Sequence, residues 1–272
     1  MFENILKNVS YKSPIIHFIT NKVTINDCAN VTLAVGGRPI MADDKNEVAD
    51  ITAGCSALVL NIGTLSKERI PSMIKALKVS NECHHPVVLD PVGIGASQLR
   101  KETVFQLLEG HIDVIKGNVS EIKVILDRQQ EAHGVDANED DVINEDNMDE
   151  YIQKVQKICK QLQTIIVVTG KQDLVIGEEG AYVIHNGCAM MSKITGTGCM
   201  LNGILGTFIA SNPEQKLEAV AYAVAMMGYC GEKAYEKMKE EKRGLGSMHM
   251  FLIDALSLFD ENWEEGLKIE KR

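Results

Sequence analysis

Thr195-Gly196-Thr197-Gly198-Cys199 runs directly into Met200-Leu201-Asn202-Gly203-Ile204-Leu205, a glycine-rich turn opening an apolar helix. Glycine lets a backbone approach a ligand closely, and the first amides of a helix have no partner inside it. Together with the helix dipole, the amides of Gly196, Thr197, Gly198 and Cys199 make a receptor for an anion such as a phosphoryl group in transfer. Cys199 sits in that first turn, where a thiol pKa is expected to fall and thiolate to become accessible. Taken alone, the pattern also describes an ordinary glycine-rich helix start over a buried cysteine. It is not a P-loop, because GxxxxGKS/T occurs nowhere in the chain.

Further polar residues stand where short apolar runs end. Val87-Val88-Leu89-Asp90-Pro91-Val92-Gly93 puts Asp90 at one such end, and Val114-Ile115-Lys116-Gly117-Asn118-Val119-Ser120-Glu121 puts Lys116 at another, with Glu121 shortly after. Open α/β sheets bind ligands at the carboxyl ends of their strands. Asp90 and Glu121 together suit a hydrated Mg²⁺, which keeps several waters and needs only one or two carboxylates. Lys116 suits the neutralisation of phosphate charge. Singly, each of the three also reads as a cap or a surface charge.

Thr169-Gly170 ends the run Thr164–Thr169, as a turn or as a fourth polar strand end. Asn21 follows the first apolar run, Met41 lies in Pro39-Ile40-Met41-Ala42, and Asn61-Ile62-Gly63-Thr64 closes another run in the same manner. Met41 alone reads as core at least as readily as ligand contact. The pair His84-His85, between a helix and a strand, reads as solvent-facing. Neither HExxH nor GxSxG occurs, which weakens hydrolase readings.

The elements that must position these residues alternate. Strands are predicted at Ile15–Ile19, Ala57–Ile62, Pro86–Asp90, Ile112–Lys116 and Thr164–Thr169. Between them lie helical patterns at Thr24–Val35, Ser66–Cys83, Ser120–Asp127 and Asp149–Leu162. Fully apolar strands between helices predict an α/β fold with a mostly parallel sheet covered on both faces. From 173 to 192 the pattern changes to short strands with turn residues Gly177, Gly180 and Asn186-Gly187, the last a hairpin signal. Beyond 196 helices are predicted to the end, over about 197–211, 214–241 and 246–260. No linker or internal repeat divides the chain, so residues 1–272 are expected to form a single domain.

The 272 residues carry 38 acids against 28 bases, a formal charge of −10, which argues against a non-specific nucleic-acid binder or a basic membrane-surface protein but not against nucleotide binding. Acids without any Lys or Arg crowd residues 131–150, read as a solvated insertion or loop of about 129–148. Seven scattered cysteines show neither CxxC nor zinc spacing. The start MFENILKNVSYKS lacks the basic-then-apolar pattern of a signal peptide, and no apolar run is long enough to span a membrane. A cytoplasmic location with reduced thiols is expected.

Read in order, the segments ITNKVTIN, PIMA, ALVLNIGTL, VVLDPVGIGAS, IKGNVSEI, VVTG and TGTGC resemble those of the hydroxyethylthiazole kinases, a branch of the ribokinase-like superfamily. The resemblance runs from about residue 12 to 260 and implies a ribokinase-like fold. It also implies ATP- and Mg²⁺-dependent phosphorylation of the primary hydroxyl of 4-methyl-5-(2-hydroxyethyl)thiazole in thiamine biosynthesis. On that basis Met41, Gly196 and Asn21 correspond to substrate contacts, Lys116 and Thr169 to ATP contacts, and Asp90 and Glu121 to metal and phosphate carboxylates. Glu121 closes the superfamily's NxxE element. Cys199 falls where most ribokinase-like enzymes carry an aspartate base, and cysteine there is usual for the thiazole branch. That favours a thiazole kinase over a kinase for hydroxymethylpyrimidine or a pyridoxal-type alcohol. A non-catalytic thiazole- or nucleotide-binding regulator would not need Asp90, Glu121 and the whole glycine-rich turn. Lys116 departs from the arginine common in the family, keeping the charge without the bidentate fork. The resemblance further implies a homotrimer with thiazole sites at subunit interfaces, so that Asn21 and Met41 would face a neighbour's glycine-rich turn. No nucleic acid or membrane partner is implied.

Overall fold

The computed structural model describes residue 2, residues 4–131 and residues 143–272. In chain order it contains α1 (Ile5–Lys12), β1 (Ile15–Ile19), α2 (Ile25–Ala34), β2 (Arg38–Met41), α3 (Val48–Ala53), β3 (Ala57–Asn61), α4 (Arg69–Glu82), β4 (Val87–Asp90) and α5 (Gln98–Leu107). There follow β5 (Val114–Asn118), α6 (Val119–Glu131), α7 (Met148–Leu162), β6 (Ile165–Thr169), β7 (Asp173–Ile176) and β8 (Ala181–Ile184). The chain ends with α8 (Thr197–Ser211), α9 (Lys216–Glu240), α10 (Leu245–Leu258) and β9 (Ile269–Lys271).

The strands form one sheet in the order β2-β1-β3-β4-β5-β6-β7-β8-β9, parallel from β2 to β6 and antiparallel from β6 to β9. Side chains alternate across it and feed two apolar layers. Val59, Val88, Val114 and Val167 pack beneath α1, α2, α8, α9 and α10. Leu58, Leu60, Leu89, Ile115 and Ile166 pack against α3 to α7 on the opposite face. Burial on both faces is why these strands read as unbroken apolar runs.

Two expectations need correction. Asn186-Gly187 does not turn a hairpin; that turn is made by residues 177–180, where the Gly177 amide donates to Gly180 O at 2.9 Å. Asn186 instead donates its carboxamide to Gly266 O at 3.0 Å and accepts from the Lys268 amide at 2.6 Å. Nor does the chain end in helix, because β9 returns to pair with β8 at the sheet edge. A long-range partner, invisible to local pattern, decides both.

The ends of the acidic segment are helical, since α6 runs to Glu131 and α7 starts at Met148. Asp149 and Glu150 occupy the first turn of α7, where carboxylates oppose the positive end of the helix dipole. Between these helices, residues 132–142 of the expected loop lie outside the described residues. Of the histidine pair, His84 is exposed and His85 half-buried. Among the described residues no helix is long and apolar enough to cross a membrane.

Candidate active site

Strand parity decides which strand ends meet. Val59, Val88, Val114 and Val167 face α8, so Asn61, Asp90, Lys116 and Thr169, each two residues further along its strand, emerge on that same face. The register pairs Asn61 with Asp90 and Asn118 with Thr169.

Asp90 is the hub, with its side chain fully buried. Its Oδ2 accepts from Lys116 Nζ at 2.8 Å, Asn61 Nδ2 at 2.9 Å and Asn202 Nδ2 at 2.7 Å. Lys116, also buried, is not the strand end expected but the middle residue of β5, because the ladder with β6 continues to Asn118; it donates to Gly198 O at 3.0 Å, joining the sheet to the start of α8. Burial works against the lysine's charge, but the charge and hydrogen bond of Asp90 outweigh it, and Lys116 is pulled above its ordinary value.

Cys199 stands in the first turn of α8 beside this pair, with Asn61 Nδ2 3.3 Å from its Sγ. The expected fall in its pKa does not occur. Burial, followed by the charge of Asp90, pushes the thiol up, against weaker pulls from Lys116, Thr24 and Asn61. The helix start alone is outweighed, and at neutral pH the group is a thiol.

Glu121 and Asn118 form a reciprocal cap at the start of α6. The Asn118 amide donates to Glu121 Oε2 and the Glu121 amide to Asn118 Oδ1, both at 2.9 Å. Glu121 Oε1 also accepts from the Gly93 amide at 2.8 Å, tying α6 to the loop after Asp90. Thr169 Oγ1 donates to Gly117 O at 3.3 Å, beside Lys116. Just beyond, Asp173 accepts from the Gly170 amide at 2.8 Å. Burial raises that carboxyl to about 6, against pulls from the Gly170 amide and Lys116.

No group of three or more His, Cys, Asp or Glu among the described residues is arranged to hold a metal ion. The Asp90–Glu121 pair nevertheless fits a hydrated divalent cation. Asp90 Oδ1 is buried with no hydrogen-bond partner among the described residues, and each Glu121 oxygen keeps acceptor capacity beyond the amide it accepts from.

Gly196 caps α8 with φ at +91°, and a Cβ there would come within 2.5 Å of Thr24 Cγ2. The turn therefore needs glycine on two counts. Asn21 accepts from the Val23 amide at 3.0 Å, and its carboxamide packs so closely on Gly63 that a Cβ there would lie 2.4 Å from Nδ2. Met41 is not part of the hydrogen-bonded set around Asp90. It ends the edge strand β2, half-buried against the α8-side core.

A profile described as the hydroxyethylthiazole kinase family matches residues 6–262. The chain belongs to this family. A hydroxyethylthiazole kinase of Clostridium acetobutylicum is 46% identical over 261 residues, covering 96% of this chain and 95% of that one. The solved hydroxyethylthiazole kinase of Pyrococcus horikoshii is 32% identical, with a TM-score of 0.87 and coverage of 100% of this chain and 98% of that one. A ribokinase-like superfamily protein of Enterococcus faecalis, only 12% identical, shares the fold at a TM-score of 0.61 over 92% of this chain and 88% of that one. The fold is ribokinase-like.

In this member of the hydroxyethylthiazole kinase family, sequence reasoning left three site residues without a role. Asn202 follows Cys199 by three positions on α8, a spacing that shares a helix face and was a usable signal. The bridge made by Asn61 depends on strand register, and the burial of Asp173 depends on tertiary packing. Asn61 closes an apolar run, a signal for a strand end but not for its partners, and Asp173 had no local signal.

Proposed function

We propose that this chain transfers the γ-phosphoryl group of ATP to the hydroxyl of 4-methyl-5-(2-hydroxyethyl)thiazole, acting as one domain. The observation that carries this reading is the buried Lys116 ammonium, 2.8 Å from Asp90 Oδ2 and 3.0 Å from Gly198 O, against the glycine-rich turn that opens α8. A fixed cation beside helix-start amides, which have no partner inside their own helix, suits a phosphoryl group in flight. The names of the relatives supply the acceptor.

Positioning and charge stabilisation supply most of the catalysis in such a transfer. The amides from Gly196 to Cys199 receive the phosphoryl oxygens, and Lys116 and Thr169 contact ATP. Asn21, Met41 and Gly196 hold the thiazole alcohol with its hydroxyl toward Cys199. Because its pKa is raised, Cys199 orients that hydroxyl as a neutral thiol and does not act as a resting thiolate base. The acceptor oxygen bonds to phosphorus as the bond to the ADP oxygen breaks, and the hydroxyl proton passes to an oxygen of the transferred phosphoryl group and on to solvent. A bound Mg²⁺ supplies charge neutralisation to the phosphates, and Asp90, through Oδ1, and Glu121 are the residues that would hold it.

The working form is proposed to be a homotrimer with the thiazole site between subunits, in the cytoplasm, where the seven free thiols stay reduced. In support, Val23 is 67% exposed, Leu33 57% and Met250 57%, on the α2 segment and on α10, which packs beside it. The test is ADP formation from ATP and hydroxyethylthiazole with and without Mg²⁺, alongside sedimentation velocity. ATP binding without ADP release would favour a binding protein instead.

A further inference from the structure

Outside the phosphoryl site, two arginines tie together the loops that follow four parallel strands. Arg69, the first residue of α4, is only 4% exposed, and none of its side-chain partners belongs to its own helix. Its Nη1 donates to Thr64 O at 2.9 Å and to Thr64 Oγ1 at 3.1 Å, and its Nη2 donates to Thr20 O. Its Nε forms an ion pair with Asp43 Oδ2 at 3.0 Å. Thr64 Oγ1 also accepts from the Lys22 amide at 2.9 Å, closing a ring between the loops after β1 and β3. Arg100, on α5, donates Nη2 to Gly63 O at 2.8 Å and Nη1 to Val92 O.

Each Arg69 contact falls close to a residue on the acceptor side. Thr20 precedes Asn21, Asp43 lies two positions after Met41, and Gly63 is the glycine on which Asn21 packs. Lys116 and Thr169 lie on β5 and β6, whereas the hydrogen-bond and ion-pair partners of the Arg69 side chain among the described residues are Thr20, Asp43 and Thr64. A guanidinium suits this place because its planar fork reaches acceptors in three directions at once, which an ammonium on a single stem does not. Burial of so strong a donor set is tolerated only while those acceptors stay in position, so the arginine and the loops fix one another.

We propose that Arg69 is a positioning residue for the thiazole alcohol: it sets where Asn21 and Met41 stand, and hence the affinity for the acceptor but not for ATP. This rests on the reading of Asn21 and Met41 as acceptor contacts. Arg100 secures the same loops from the Gly63 side.

The test is Arg69→Lys in the full chain, with KM measured separately for hydroxyethylthiazole and ATP. Displacement of loops by a fraction of an ångström is expected to raise the acceptor KM about tenfold, leaving the ATP KM within about twofold. Asp43→Asn, at a half-exposed carboxylate, is expected to shift the acceptor KM the same way by a smaller factor, and it carries the test if Arg69→Lys does not fold. Equal rises in both KM values, or an unchanged acceptor KM in either folded variant, would overturn the proposal. Hydrogen exchange supplies a readout independent of turnover: the amides of Lys22, Thr24 and Gly63 should exchange faster in Arg69→Lys, and unchanged rates would also overturn it. If the unmodified chain forms no ADP, the kinase reading fails, and exchange still decides whether Arg69 fixes these loops.

Discussion

Lys116 and Asp90 form a buried ion pair, Nζ to Oδ2 at 2.8 Å, between the middle of β5 and the last residue of the adjacent parallel strand β4. Two carboxamides, from Asn61 and Asn202, share the same carboxylate oxygen. A pair so shielded stays formed only while both charges are present, because removing either strands the other without water.

Lys116→Ala is therefore expected to cost about 3–5 kcal/mol in urea unfolding, on top of losing activity. Lys116→Arg keeps the charge and should recover most of that stability. An alanine variant as stable as the unmodified chain would mean that the two asparagines alone satisfy Asp90.

Cys199 should behave as a buried, protonated thiol. Iodoacetamide at neutral pH is expected to label exposed Cys83 well before Cys199, read by peptide mass spectrometry. Cys199→Ala should lower kcat by about tenfold, below the 10²–10⁴-fold expected of a working general base. A larger loss, with a pH–rate limb that disappears in the variant, would restore a thiolate role.

Glu121→Gln keeps the shape of the side chain but removes its charge and one of its two amide acceptors. It should cost about 1 kcal/mol of stability through the weakened cap of α6. It should also raise the Mg²⁺ concentration needed for half-maximal ADP formation. An unchanged Mg²⁺ titration would confine Glu121 to the cap.

His17 predicts a pH dependence of stability. Burial holds its ring below the ordinary 6.5, against the pull of a hydrogen bond to Ala42 O, so the folded chain carries it neutral. Below 6.5 the unfolded chain takes up the proton first, so this contribution is full above 6.5 and is lost as pH falls. The urea midpoint should drop between about pH 7 and pH 5. His17→Gln should be less stable at pH 7 but should show a shallower drop, and an unaltered slope would remove His17 as the source.

Much of this frame was legible in local pattern. The strands at Ile15–Ile19 and Val87–Asp90 and the helix at Thr197–Ser211 fall where apolar periodicity and glycine turns predict them. Strand-end chemistry was legible at Asp90, which closes both an apolar run and β4; Lys116 closes an apolar run too, but β5 continues past it to Asn118 through its ladder with β6. The short α3, the edge strand β2 and the terminal β9 were not, because they are held by neighbours distant in sequence rather than by strong patterns of their own.

By itself the sequence determined the alternation of strands and helices, the glycine-rich opening of α8 and the ordered segments that mark the family. These are properties of residue type and spacing along one chain. Only the tertiary structure decided that Asp90 binds Lys116 and two asparagines, that the Cys199 thiol is raised and not lowered, and that Arg69 ties the loops around Asn21 and Met41. Register, burial and the charge of a neighbour are set by residues far apart in sequence, and electrostatic effects depend on those distances and on the exclusion of water.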